Sequence, residues 1–174
     1  MGKSNQATLW YLLLVSLLDF MGLGIVVAIF PHLLLNNIGD ILPNLFGHDA
    51  RLILLGVFLA IYPLGQFFGA AILGKLSDIH GRRILMIATQ FGTILAFIVS
   101  AYSIVIGSGL LLFLSRLMAG IFAGNIAIAQ ASIVDISTTD NKASNLTMIQ
   151  IALGLAWVIG PPLGGIMSQY SVFS

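Results

Sequence analysis

The chain has 174 residues, of which 59% are hydrophobic and 7% charged, with a net charge of +1 and no cysteine. Soluble domains carry about 25% charged residues, so this composition belongs in a lipid bilayer. It leaves no basic surface for nucleic acid, and the lack of cysteine excludes a disulfide framework, thiolate metal sites and a cysteine nucleophile.

Five apolar segments, at about residues 8–35, 52–76, 84–106, 110–134 and 146–167, are each long enough to cross a hydrocarbon core of about 30 Å as a helix of roughly 20 residues. The expected fold is therefore an all-α membrane protein with five transmembrane helices. The first segment is too long, and at Asp19 too polar, for a signal peptide, and it lacks a small-residue cleavage site, so it reads as a retained anchor helix. Gln6 stands where an N-myristoylation signal needs serine or threonine. His32, His48 and His80 are scattered without ligand spacing, so no metal site is expected. Nothing calls for a cofactor, and no cluster of nucleophile, base and oxyanion donors suggests an enzyme.

Lysine and arginine in the short connections set the orientation. Lys3, Lys75, Arg82, Arg83 and Lys142 fall on one side and Arg51 on the other, which places the N-terminus in the cytoplasm of a cell whose inner membrane holds the chain. Residues 36–51, the turn Gly107-Ser108-Gly109 and the chain end then lie outside. Asp19 and Arg116 are ionisable residues within the spans, and each needs a protein interior or a water-filled cavity. At about 1.5 Å per residue, Asp19 lies about 15 Å from the inner surface and Arg116 about 20 Å from it. A direct or water-bridged pair is compatible with those depths, although depth alone does not show that the two faces meet.

The second and third spans are joined by GKLSDIHGRR, where Lys75, Asp78, Arg82 and Arg83 fall within ten residues. A sharp turn explains Gly81 and a topological anchor explains the arginines, but neither explains Asp78 or Gly74. The string resembles motif A of the major facilitator superfamily, G-x-L-a-D-r-x-G-r-k, through Gly74, Leu76, Asp78, Gly81, Arg82 and Arg83, with Ile79 in place of a basic residue. The resemblance implies a cytoplasmic latch that holds the two halves of a transporter together in the outward-facing state. Its usual third member, at the cytoplasmic end of the fourth helix, corresponds to Asp135. A carboxylate at a helix C-terminus is unfavourable without a cation, so a partner such as Arg82 is expected.

The fourth span contains FLSRLMAGIFAG, which resembles motif B, l-x-x-R-x-x-q-G, at Arg116 and Gly120. The family assigns that arginine to proton transfer or to tuning a nearby carboxylate. Gly120 and Gly124 also form a G-x-x-x-G spacing, which lets another helix approach closely. In the first span DFMGLGIVVAIFP is similar to the helix-1 motif of twelve-helix drug exporters at Asp19, Gly22, Gly24 and Pro31, with Ala28 replacing a proline.

The fifth span carries AWVIGPPLGG. Pro161 and Pro162 remove two backbone donors, so the helix is expected to bend or loosen, while Gly160, Gly164 and Gly165 are expected to open a face for close packing. The string resembles motif C, g-x-x-x-G-P-x-x-G-G, at Gly160, Pro161, Gly164 and Gly165, a pattern of the superfamily's antiporters.

Together these motifs resemble the N-terminal half of a drug:proton antiporter of that superfamily, tetracycline exporters among them. The resemblance implies proton-coupled efflux of a small molecule by alternating access, with substrate bound between two six-helix halves. The chain ends before a sixth span, so a fragment or truncated reading frame is expected, completed by the missing C-terminal half or a partner subunit. A non-transporting half-bundle that acts as a membrane interaction partner remains open, and so does a metabolite symporter fragment.

Overall fold

The computed structural model describes residues 3–35, 41 and 47–169. Their elements are all helical: α1 (Lys3–Leu35), α2 (His48–His80), α3 (Arg82–Val105), α4 (Gly109–Ala123), α5 (Asn125–Ile136) and α6 (Lys142–Gln169). Five of the resulting rods are long and apolar enough to cross a membrane, α4 and α5 stacking end to end as one of them. The shortest, α3, has 24 residues and is about 36 Å long, longer than a hydrocarbon core of about 30 Å. Of the connection expected over residues 36–51, only Ile41 and residues 47–51 are described, and the chain end beyond residue 169 also lies outside the described residues.

The outer surface is apolar: Phe67 is 72% exposed, Leu110 73% and Val105 83%. Water would penalise such a surface, whereas lipid matches it. Between helices the fit comes from small residues, because lipid supplies no hydrophobic force to press helices together. α1 runs along α6, and α2 and α3 run along α4. A Cβ on Gly160 of α6 would sit 2.9 Å from Gly24 Cα and from the Met21 carbonyl of α1. At the α2–α4 crossing, Gly120 lies against the Tyr62 carbonyl, Gly69 against Ile121, and Gly124 against the backbone of Gly69 and Ala70.

The interior is layered along the bundle. At the end that carries the α2–α3 turn, Leu9, Leu73, Met86, Ile133 and Ile149 form one cluster. Tyr62, Ala96, Ala119 and Ala123 fill the middle. Phe30, Leu34, Phe58 and Leu112 close the other end, with Phe58 edge-on to both Phe30 and Phe113. There Arg51 Nη1 donates to the Leu35 carbonyl at 3.3 Å and ties the start of α2 to the end of α1.

Two turns use left-handed backbone. Gly81 (φ +92°, ψ 133°) is the single residue between α2 and α3, and its N–H donates to the Ser77 carbonyl at 3.0 Å. Gly107 (φ +67°) closes α3, after which the Ser108 hydroxyl accepts from the Leu111 N–H at 3.4 Å and caps α4. L-residues with a Cβ are disfavoured in such conformations.

Two expectations need correction. The fourth rod is not one helix: it is interrupted at Gly124, where the Gly124 N–H bonds the Ile121 carbonyl and the Ala127 N–H bonds the Gly124 carbonyl, both at 3.1 Å and three residues apart. The Ala123 carbonyl next to the break accepts from Gln66 Nε2 of α2 at 3.3 Å. α6 stays helical through Pro161 and Pro162. Gly165 has no atom within 4 Å of a would-be Cβ, whereas Gly160 and Gly164 face α1. Residues four apart share a helix face, and the next one along turns about 100° away.

Candidate functional site

Asp19 lies at the midpoint of α1, and neighbouring helices bring polar groups to it. Gln90 Nε2 of α3 donates to Asp19 Oδ2 at 2.9 Å, and Asn125 Nδ2 of α5 donates to the same oxygen at 2.8 Å. Asn125 is buried and is the first residue after the Gly124 break, so the interruption of the rod delivers its amide to the carboxylate. Oδ1 has no hydrogen-bond partner among the described residues, and Asp19 as a whole is half-buried. One carboxylate oxygen thus accepts from two donors and the other from none among the described residues.

Arg116 on α4 is 2% exposed. No ion pair joins it to Asp19 among the described residues, so the direct pair allowed by depth is not formed. Its guanidinium lies between two rings instead, 5.4 Å from the Phe30 centroid and 5.0 Å from the Phe97 centroid. Aromatic faces stabilise a desolvated cation by about 2 kcal/mol. Nε and Nη1 are buried without acceptors, an arrangement that usually costs free energy. Tyr62 is buried on α2 in the middle layer of the bundle, with Ala96, Ala119 and Ala123.

A second polar group sits at the end of the bundle that holds the α2–α3 turn. Arg82 Nε is 2.9 Å from Asp135 Oδ2, and Arg82 Nη2 is 3.5 Å from Asp78 Oδ1. The structure therefore brings Arg82 to both acids, closely to Asp135 and loosely to Asp78. The two helices joined by the shorter contact are α3 and α5. Arg83 is exposed and lines, with Tyr11, Ser132 and Asp135, a cavity of about 640 Å³ beside the pair. Gly74 faces open space, with nothing within 4 Å of a would-be Cβ.

Charge drew attention to Asp19 and Arg116, but not to the groups that hold them. Gln90 and Asn125 carry no charge, and Phe97 looks like any other membrane-span aromatic. A signal was nonetheless present, since an amide side chain within an apolar span must find a partner there.

The helices, the glycine crossings and the charged groups inside them define a multi-pass, all-helical membrane protein. The Major Facilitator Superfamily matches residues 12–174, and the chain belongs to that family. It is 34% identical over 170 residues to the class C tetracycline resistance protein of Escherichia coli, covering 98% of this chain and 40% of that protein. It is 31% identical to the class B protein of Escherichia coli over 93% of this chain and 38% of the relative, and 29% identical to the class H protein of Pasteurella multocida over 92% and 37%. The chain thus spans about 40% of the length of these relatives. No solved structure matches it.

Proposed function

We propose that the chain is the N-terminal part of a proton-coupled exporter of a small molecule, working by alternating access in the cell's inner membrane with its N-terminus in the cytoplasm. The remainder, a C-terminal half or a partner subunit, supplies the opposite wall of the cavity. The observation that carries this reading is Asp19: a carboxylate in the interior of the bundle with Oδ2 held by two amides and Oδ1 unengaged. That arrangement lets a proton bind and leave at Oδ1 without dismantling the site. Arg116 supplies a fixed positive charge inside the bundle, because a guanidinium stays protonated. Asp78, Arg82 and Asp135 act as the cytoplasmic latch, around a turn set by Gly81 and flanked by Gly74 and Arg83. Gly160, Pro161, Gly164 and Gly165 form the antiporter motif, of which Gly160 and Gly164 seat α6 on α1.

The printed names of the relatives make a tetracycline the first substrate to try. The test uses the full-length polypeptide that carries this sequence, in inside-out vesicles. Drug uptake driven by an imposed pH gradient is expected, and Asp19→Asn should abolish it while leaving the amount in the membrane unchanged. Parent rates in Asp19→Asn under the same gradient would overturn proton coupling through this residue.

A further inference from the structure

The hydrogen bonds at Asp19 and the ion pair at Arg82 join the same two helices. Gln90 belongs to α3 and Asn125 to α5, and both amides converge on Oδ2 of Asp19. Arg82 is the first residue of α3 and Asp135 lies in the last turn of α5, and these two meet at 2.9 Å. Arg82 precedes Gln90 by eight residues and Asp135 follows Asn125 by ten, so the two connections are about 12–15 Å apart along the helices. α5 is also separated from α4 by the break at Gly124. It is a short rod of 12 residues, set off from α4 at one end, and each of its ends carries one of the connections.

We infer that Gln90 and Asn125 are positioning residues that make the contact between α3 and α5, and through it the Arg82–Asp135 pair, depend on the charge of Asp19. This rests on Asp19 as the group that takes up the proton. When charged, Asp19 accepts two charge-assisted hydrogen bonds on Oδ2 and draws the two helices together. A proton delivered by hydronium, which leaves as water, then forms a bond to Oδ1. Oδ2 becomes the carbonyl oxygen of a neutral acid, and both amide bonds weaken, since hydrogen bonds to an ionised acceptor are about twice as strong as neutral ones. α5 is released at that end and the distant ion pair opens more often. A state shifts only by its differential interactions, and here these are two bonds of changed strength.

The other ionisable groups near Asp19 do not supply this link. Tyr62 is buried on α2 and Arg116 on α4, and neither belongs to α3 or α5. α6, the other close neighbour of α1, contributes to the described part of that layer only apolar and glycine contacts such as Gly160 on Gly24.

The test reads the cavity beside the ion pair. Ser132 on α5 lines it, and this chain has no cysteine of its own, so Ser132→Cys in the full-length polypeptide reports its opening to a maleimide. Rates are measured across pH in inside-out vesicles, and Thr139→Cys in the exposed turn after α5 corrects for ionisation of the thiol. Corrected labelling is expected to rise about five- to tenfold from the charged to the protonated state of Asp19, from two bonds that each change by a modest factor. Asp19→Asn should label at one rate at every pH. Asn125→Leu and Gln90→Leu should each reduce the ratio to about twofold or less, and Asn125→Thr, which keeps a donor, should restore part of it. Gln90 is only partly buried, so Gln90→Leu keeps the test open if Asn125→Leu fails to fold. An unchanged pH ratio in either leucine variant overturns the inference. Absent drug transport with an intact, amide-dependent labelling response would refute the exporter reading and leave this coupling standing.

Discussion

Substituting Gly120 with alanine is expected to destabilise the bundle by a net of about 2 kcal/mol. The new Cβ would meet the Tyr62 carbonyl, and next to it the Tyr62 Cα at 3.1 Å, all of it helix backbone of α2 that no rotamer change can move aside. α2 and α4 would have to separate, which also loosens Gly65 on the Leu117 carbonyl and Gly69 on Ile121. Overpacking of a fitted interface costs about 1–3 kcal/mol, and an immovable backbone belongs at the upper end. Alanine's better helix propensity returns about 1 kcal/mol. Gly74→Ala is the matched control: it gains the same propensity and its Cβ meets nothing within 4 Å, so it should leave stability unchanged or raise it by up to about 1 kcal/mol. Unfolding titrated with sodium dodecyl sulfate in mixed micelles measures both. A neutral Gly120→Ala, or a Gly74→Ala as damaging as Gly120→Ala, would refute the argument that backbone contact rather than glycine itself is what matters.

The Arg82 pair predicts an asymmetry. A double-mutant cycle of Arg82→Gln with Asp135→Asn should give a coupling of about 0.5–1 kcal/mol, modest because both side chains are partly exposed. The cycle with Asp78→Asn should give a coupling indistinguishable from zero, since that contact is 3.5 Å long and Asp78 is more exposed. Equal couplings would remove the distinction. Gly81→Ala should cost about 1–3 kcal/mol, because φ of +92° is strained for a residue with a Cβ and no neighbouring atom is in the way, so the loss is purely one of backbone conformation. Thermal unfolding in detergent checks it, and an unchanged midpoint would place the turn's flexibility elsewhere.

Hydropathy alone was enough to find five helices, because the period and length of apolar runs are properties of local sequence. What it could not provide was rotation about each helix axis. Counting residues puts Asp19 and Arg116 at similar depths, yet one faces two amides and the other faces two aromatic rings. Depth follows from rise per residue, whereas azimuth follows from which helices pack together, and that depends on small residues distributed over the whole chain. The same limit explains Gly165, read as part of one packing face with Gly160 and Gly164 although it is turned away from α1. It also explains Gly124, whose spacing marked a close helix approach but not the interruption that carries Asn125 to Asp19. Arg82 and Asp135 were matched because electrostatics constrains a pair at a helix end more tightly than it does residues in the middle of a span.

The single residue between α2 and α3 has a consequence for how the protein is made. Gly81 leaves no slack for one of these helices to wait in water while the other enters the bilayer: once the last turn of α2 is in place, Arg82 is already the first residue of α3. The two are expected to enter the bilayer as one hairpin. The basic residues at or near its tip, Lys75, Arg82 and Arg83, are then expected to orient both helices together, so that a substitution of Arg82 and Arg83 should alter the placement of α2 and α3 jointly and not of one alone.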